Sequence, residues 1–189
     1  MKFWEKDKLG NKLLKKNKKK IKIGILGGTF DPAHKGHLEI SKQAKKKYKL
    51  KYVVWAITRK NPFKNKSKTN LNTRIKFAKK VIGSNKFIKI KFYESKIKSN
   101  KTIDLINHLK KKNKLLNIYF IIGADNLINF NKWHKWKLIS KKCNILVFDR
   151  LGYKTKALKT NIFKKLIKNN LEFIKFKKIN ISSSKLRKI

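Results

Sequence analysis

The apolar positions of this chain fall into short runs with two rhythms. Residues 52–57 (Tyr-Val-Val-Trp-Ala-Ile) and 118–122 (Ile-Tyr-Phe-Ile-Ile) are continuously apolar, as strands buried on both faces of a parallel sheet must be. Residues 21–26 predict a strand that runs into a glycine-rich loop, and 87–93 alternate apolar residues with lysine. Residues 145–148 and 171–176 add two more strands. Between these runs, apolar residues at helical spacing predict helices over 36–48, with Leu38, Ile40 and Ala44 facing inward, and over 71–82, 103–112, 133–141 and 162–169. Strand and helix in alternation predict an α/β fold, a doubly wound and mainly parallel sheet with right-handed crossovers. In such sheets ligands collect at the carboxyl ends of the strands, where strand order reverses. Residues 1–20 read as a basic extension, expected to be mobile, with Leu9, Leu13 and Leu14 in a weak helical pattern. Residues 21–189 read as one domain, whose last helix has only about one turn before the chain stops at Ile189.

Composition narrows this picture. A chain of 189 residues, 40% hydrophobic, suits one globular core rather than two. No apolar run is long enough to cross a bilayer, and the lysine-rich first twenty residues lack the apolar stretch of a signal peptide. The single cysteine, Cys143, excludes an internal disulfide and fits a reducing compartment, so a cytoplasmic location is expected. Cys143 itself precedes an apolar strand and reads as a small buried hydrophobe rather than a nucleophile.

The net charge of +45, from 54 basic and 9 acidic residues, invites a nucleic-acid reading. The arginines argue against it. Only Arg59, Arg74, Arg150 and Arg187 are present, the rest being lysine, and Asn and Ile are abundant as well. These three residue types share A/T-rich codons, and the lysines are scattered along every segment. A basic surface set by composition explains them without a specific nucleic-acid partner. Where lysine is the default cation, a retained arginine marks a place where the planar guanidinium fork matters.

Candidate chemistry concentrates after the first long strand, in Gly27-Gly28-Thr29-Phe30-Asp31-Pro32-Ala33-His34-Lys35-Gly36-His37. Glycines let backbone N–H groups approach an anion, and the start of the following helix presents its positive end. His34 and His37, three residues apart, can point the same way from that helix start. The P-loop pattern and the Gly-x-Gly-x-x-Gly dinucleotide fingerprint are both absent, and no acidic residue ends the second strand. A P-loop ATPase and a nicotinamide-dependent dehydrogenase are therefore excluded.

The string resembles the signature of the nucleotidyltransferases that carry an H-x-G-H motif, and within them it is most similar to bacterial nicotinate-nucleotide adenylyltransferases. Five more segments fit in order. Asn61-Pro62-Phe63-Lys64 resembles the family's P-x-K loop, Thr102-Ile103-Asp104 its T-x-D, and Gly123-Ala124-Asp125 with Trp133 its G-A-D and tryptophan. Arg150-Leu151-Gly152-Tyr153 resembles R-P-G-Y, with leucine in place of proline, and residues 181–187 resemble I-S-S-T-x-I-R, with Ser184 in place of threonine.

The resemblance implies a Rossmann-like nucleotidyltransferase fold and adenylyl transfer from ATP to nicotinate mononucleotide, with release of pyrophosphate. His34, His37 and Arg187 would be catalytic. Gly27, Gly28, Thr29, Phe30, Asp125, Ser183 and Ser184 would bind ATP, with Asp125 serving the ribose. Lys64, Thr102, Trp133 and His134 would bind the mononucleotide, with Trp133 on the pyridine ring. No carboxylate cluster is visible, so Mg2+ would ride in on the ATP phosphates. Asp125 as a helix cap and Trp133 as core remain alternative readings of those residues. Alternative activities are adenylyl transfer to nicotinamide mononucleotide or phosphopantetheine, or nucleic-acid binding on a degenerate scaffold.

Overall fold

The computed structural model describes residues 4–6, 12–14, 19–60, 67–167 and 170–175. Strands β1 (Trp4–Lys6) and β2 (Lys12–Leu14) pair antiparallel, with Trp4 opposite Leu14. Leu13 and Leu14, read from sequence as part of a weak helical pattern, fall in strand β2 instead, and Leu9 lies outside the described residues. Gly10 and a run of mutually repelling lysines both disfavour a helix there.

The rest alternates as expected: β3 (Ile21–Gly28), α1 (Lys35–Tyr48), β4 (Tyr52–Ile57), α2 (Leu71–Ile82), β5 (Ile88–Phe92), α3 (Glu94–Ile97) and α4 (Thr102–Lys112). Then follow β6 (Leu116–Gly123), α5 (Ala124–Ile128), a 3-10 turn (Phe130–Lys132), α6 (Trp136–Lys142), β7 (Asn144–Phe148), α7 (Lys154–Leu158), α8 (Asn161–Leu166) and β8 (Leu171–Ile174). Strands β3 to β8 form one parallel sheet in the order β5-β4-β3-β6-β7-β8. The chain therefore builds outward from β3 to β5, returns to the other side of β3 with β6, and builds outward again. The reversal falls between β3 and β6, the seam where a doubly wound sheet opens its binding crevice.

Both faces of the sheet are buried, in strict alternation. Ile23, Ile25, Val54, Ala56, Ile118, Phe120, Ile122, Ile145 and Val147 join Ile106 and Leu109 of α4, Leu127 of α5 and Ile139 of α6 on one face. Val53, Trp55, Ile57, Ile121, Leu146 and Phe148 join Ala44 of α1 and Ala78 of α2 on the other. Gly24 in β3 admits close packing: a Cβ there would meet side-chain carbons of Leu50, Ile121 and Val53 at 3.0–3.1 Å. Cys143 is buried in the first of these layers, as its sequence context predicts, and burial pushes its thiol up to about 12. His108 is half-buried on α4, edge-on to Tyr93 at 6.0 Å between ring centroids. No helix among the described residues is long and apolar enough to cross a membrane.

Candidate active site

The glycine-rich string leaves β3 at Gly28 and reaches α1 at Lys35, so it lies at the carboxyl end of the central strand. The structure fixes this loop from three sides. Phe30 takes a left-handed conformation (φ 49°), and its ring stacks on Trp55 at 4.9 Å, leaving 2% of the residue exposed. The Phe30 side chain is therefore an anchor for the loop. Asp31, buried before a cis Asp31–Pro32 peptide bond, accepts the Lys68 N–H at 2.8 Å and the Thr69 hydroxyl.

Arg74 of α2 is the third tie. It is 2% exposed, and its Nη1 donates to the carbonyls of Thr29 (2.6 Å) and Thr58 (2.7 Å). Its Nε donates to Thr69 O (3.2 Å) and its Nη2 to Arg59 O (3.4 Å). Burial works against the Arg74 charge, and the Asp31 carboxylate works for it. One guanidinium thus pins the loop after β3 to the loop after β4. A lysine could not reproduce this fan of planar donors.

Within the loop the two imidazoles hold each other. His34 is the N-cap of α1: its Nδ1 accepts the Gly36 N–H at 3.2 Å, while His37 Nδ1 accepts the His34 N–H at 3.2 Å. The rings lie 3.9 Å apart, and His37 also packs on Phe30 at 4.8 Å. The capping box is usually built from Ser or Thr with Glu. Here imidazoles do both jobs. An Nδ1 that accepts carries no proton, so each neutral ring keeps its hydrogen on Nε2. Burial, helped by the positive charge of Arg150, lowers the His34 pKa to about 4. At neutral pH His34 is accordingly an uncharged Nε2–H donor. The position beneath is braced as well: Ser41 Oγ donates to the His37 carbonyl (2.8 Å) and accepts from Trp55 Nε1 (2.8 Å).

Across the seam, β6 ends at Gly123 and passes into α5 at Ala124. The Asp125 carboxylate folds back over the strand end, so closely that a Cβ on Gly123 would sit 2.5 Å from Asp125 Oδ1. Asp125 is not the side-chain cap of α5, whose N-cap is Gly123. Instead its Oδ2 meets Arg150 Nη1 at 2.6 Å, with the two side chains 11% and 36% exposed. Arg150 is the second residue after β7, and its guanidinium also lies 5.9 Å from the Tyr153 ring.

The structure brings Gly27, Gly28, Thr29, His34 and His37 together at the β3 end, and Asp125 with Arg150 at the β6 and β7 ends. Arg150 stands close enough to His34 to influence its titration. Trp133 follows the 3-10 turn, edge-on to Phe120 (5.9 Å) and tilted against Phe130 (5.4 Å). It borders the core without being buried in it. Trp136 is likewise half-buried, edge-on to Phe130 at 6.2 Å. His134 is exposed beside Trp133, and Thr102 is the first residue of α4. Asp104 accepts from the Ser99 hydroxyl at 2.6 Å, which shapes the approach to that helix. Lys64, Ser183, Ser184 and Arg187 lie outside the described residues. Reasoning from sequence gave no site role to Arg74 or Arg150. Their signal was present in the scarcity of arginine, but sequence could not say what either fork would grip.

The cytidylyltransferase-like family matches residues 25–189. A probable nicotinate-nucleotide adenylyltransferase of Pelagibacter ubique is 71% identical over 173 residues, covering 92% of this chain and 96% of that protein. A second protein of that name, from Nitratiruptor, is 36% identical over 135 residues, covering 71% of this chain and 76% of its own length. Among solved structures, nicotinic acid mononucleotide adenylyltransferase of Plasmodium falciparum in complex with NaAD superposes with a TM-score of 0.75 at 22% identity. It covers 89% of this chain and 83% of its own, a likeness that speaks for the fold.

Proposed function

Because this chain belongs to the cytidylyltransferase-like family, and within it to the nicotinate-nucleotide adenylyltransferases, we propose that it joins the adenylyl group of ATP to nicotinate mononucleotide and releases pyrophosphate. We take residues 21–189 as the unit that does this.

The observation that carries the reading is the reciprocal histidine cap. It fixes both Nδ1 atoms on backbone N–H groups at the mouth of a glycine-rich loop. It therefore commits each neutral imidazole to donating from Nε2, the form suited to a phosphate oxygen. The chemistry asks little else of the protein. The mononucleotide phosphate attacks the α-phosphorus in line, the bond to the β-phosphate oxygen breaks, and pyrophosphate leaves with the electron pair. No protein nucleophile is needed, and positioning with charge stabilisation suffices. His34 and His37 would donate to the phosphate oxygens, while backbone groups of Gly27, Gly28, Thr29 and Phe30 would cradle the same region. Asp125 would accept the ribose hydroxyls. Trp133 would stack on the pyridine ring, with Thr102, the His134 backbone and Lys64 serving the rest of the mononucleotide. Ser183, Ser184 and Arg187 would hold the outgoing pyrophosphate.

A divalent cation, Mg2+ in our reading, would arrive on the ATP phosphates and neutralise their charge. Among the described residues no group of three or more His, Cys, Asp or Glu side chains converges on one point, and Asp125 is engaged by Arg150. The donor set present suits an ion held mainly by phosphate oxygens and water.

The purified chain, given ATP, Mg2+ and nicotinate mononucleotide, is expected to release one pyrophosphate per dinucleotide formed. Turnover that is faster with phosphopantetheine or with nicotinamide mononucleotide would reassign the acceptor. Turnover with none of the three would reject the reading.

A further inference from the structure

The Arg150–Asp125 ion pair presents a difficulty if Asp125 is to receive a ribose. Asp125 is nearly enclosed, and one of its oxygens is already held by a guanidinium at 2.6 Å. Resting on the adenylyl-transfer reading, we propose that Arg150 is a binding residue for the triphosphate, held in reserve by Asp125 and handed over when ATP enters. The exchange conserves partners. Ribose hydroxyls replace the guanidinium as donors to the carboxylate, and phosphate oxygens replace the carboxylate as acceptors for Arg150.

Four observations support the handover. Arg150 is one of four arginines in a chain whose other cations are all lysine, as a planar fork for phosphate requires. It sits at the end of β7, the strand next to β6, and so overhangs the crevice from the side opposite α1. Its charge reaches His34, which caps the phosphate-facing helix. Finally, its side chain is more exposed than that of its partner, and it opens the turn Leu151-Gly152-Tyr153, in which Gly152 is left-handed (φ 80°) and both flanking side chains are exposed. The Asp125 carboxylate lies close over Gly123, while the Arg150 side chain is the more exposed of the two.

The handover makes an asymmetric prediction that a merely structural ion pair does not. Inorganic tripolyphosphate carries the charge of ATP but no ribose. Binding it would draw Arg150 away from the Asp125 carboxylate and set that negative charge beside a polyanion. Removing the Asp125 charge should therefore help tripolyphosphate and harm ATP.

Calorimetric titration of the full chain tests this. Arg150→Met is expected to weaken both ligands by on the order of tenfold or more, with Arg150→Lys in between. Asp125→Asn is expected to tighten tripolyphosphate severalfold and weaken ATP. His34, followed by NMR, should titrate at higher pH in Arg150→Met. Tripolyphosphate binding that is unchanged or weaker in Asp125→Asn would overturn the handover, as would Arg150→Met affinities within twofold of the parent for both ligands. Failure of the parent chain to form dinucleotide would count against the functional reading alone, because the tripolyphosphate arm needs no turnover.

Discussion

The two banks of the crevice are built on opposite plans. On the α1 side the loop after β3 is over-determined: Phe30 is wedged on Trp55, Asp31 holds Lys68 and Thr69, and Arg74 gathers four carbonyls. His34 and His37 then close on each other. On the β6–β7 side, among the described residues, the Arg150–Asp125 ion pair spans the opening, and Arg150 leads into a turn with a left-handed Gly152. A rigid bank can present donors at fixed positions without reorganising. A bank with one exchangeable contact can respond to what arrives.

The difference predicts how each bank fails. Arg74→Met should have the largest effect, because it removes the buried donor shared by four carbonyls and loosens the loop. A loss of roughly 3–5 kcal/mol is expected, as for breaking a buried charge network. That corresponds to a Tm lower by on the order of 10 °C, read by thermal denaturation. Arg74→Lys should recover only a minor part.

His37→Ala should act on chemistry more than on stability. Turnover is expected to fall by about two orders of magnitude or more, as when a transition-state donor is lost. Tm should move only a few degrees, from loss of the part-buried hydrogen bond to His34 and of ring packing on Phe30. A kcat within fivefold of the parent in a folded variant would remove His37 from the catalytic set.

Gly123→Ala probes the responsive bank. Its new Cβ would meet Asp125 Oδ1 at 2.5 Å, so the carboxylate must shift, which disturbs the pairing of its Oδ2 with Arg150. Backbone strain is not at issue, since Gly123 has an ordinary extended conformation (φ −81°). The expected result is a KM for ATP raised about tenfold, by about 1.4 kcal/mol, with the mononucleotide KM nearly unchanged.

The smallest effect concerns pH. His34 titrates at about 4 in the folded chain against 6.5 when unfolded, so the unfolded state binds more protons between those values. Stability contributed by neutral His34 is complete above about 6.5 and is lost as pH falls toward about 4. Near pH 4 the native cap also gives way, because a protonated Nδ1 cannot accept from Gly36. Tm measured from pH 7 down to 4.5 should fall more gently in His34→Asn than in the parent. Parallel slopes would show that other groups govern acid sensitivity.

Sequence carried the rigid bank further than the responsive one. The buried strands announce themselves as apolar runs, and α2 occupies 71–82 as its spacing predicts. The helices α3, α5 and α7, of four or five residues each, went unpredicted, because a single turn is too short to show a 3.6-residue period. The helix expected over 133–141 begins only at Trp136: residues 133–135 separate it from a preceding 3-10 turn, and Lys135 enters the left-handed region. The histidine pair was legible since its members are three residues apart and their geometry is local. The Asp125–Arg150 pair was not. It joins residues 25 apart, and it exists only because β6 and β7 lie side by side. The hold of Arg74 on Thr29, 45 residues earlier in the chain, depends in the same way on where α2 is laid down.

The strand order has a mechanical corollary. Strands β3, β4 and β5 come from residues 21–92, and β6, β7 and β8 from residues 116–174, so the seam between β3 and β6 divides the polypeptide into an early and a late half. A nucleotide lodged across that seam would stitch the halves together. Its binding energy would then resist proteolytic nicking throughout the molecule, even far from the adenosine.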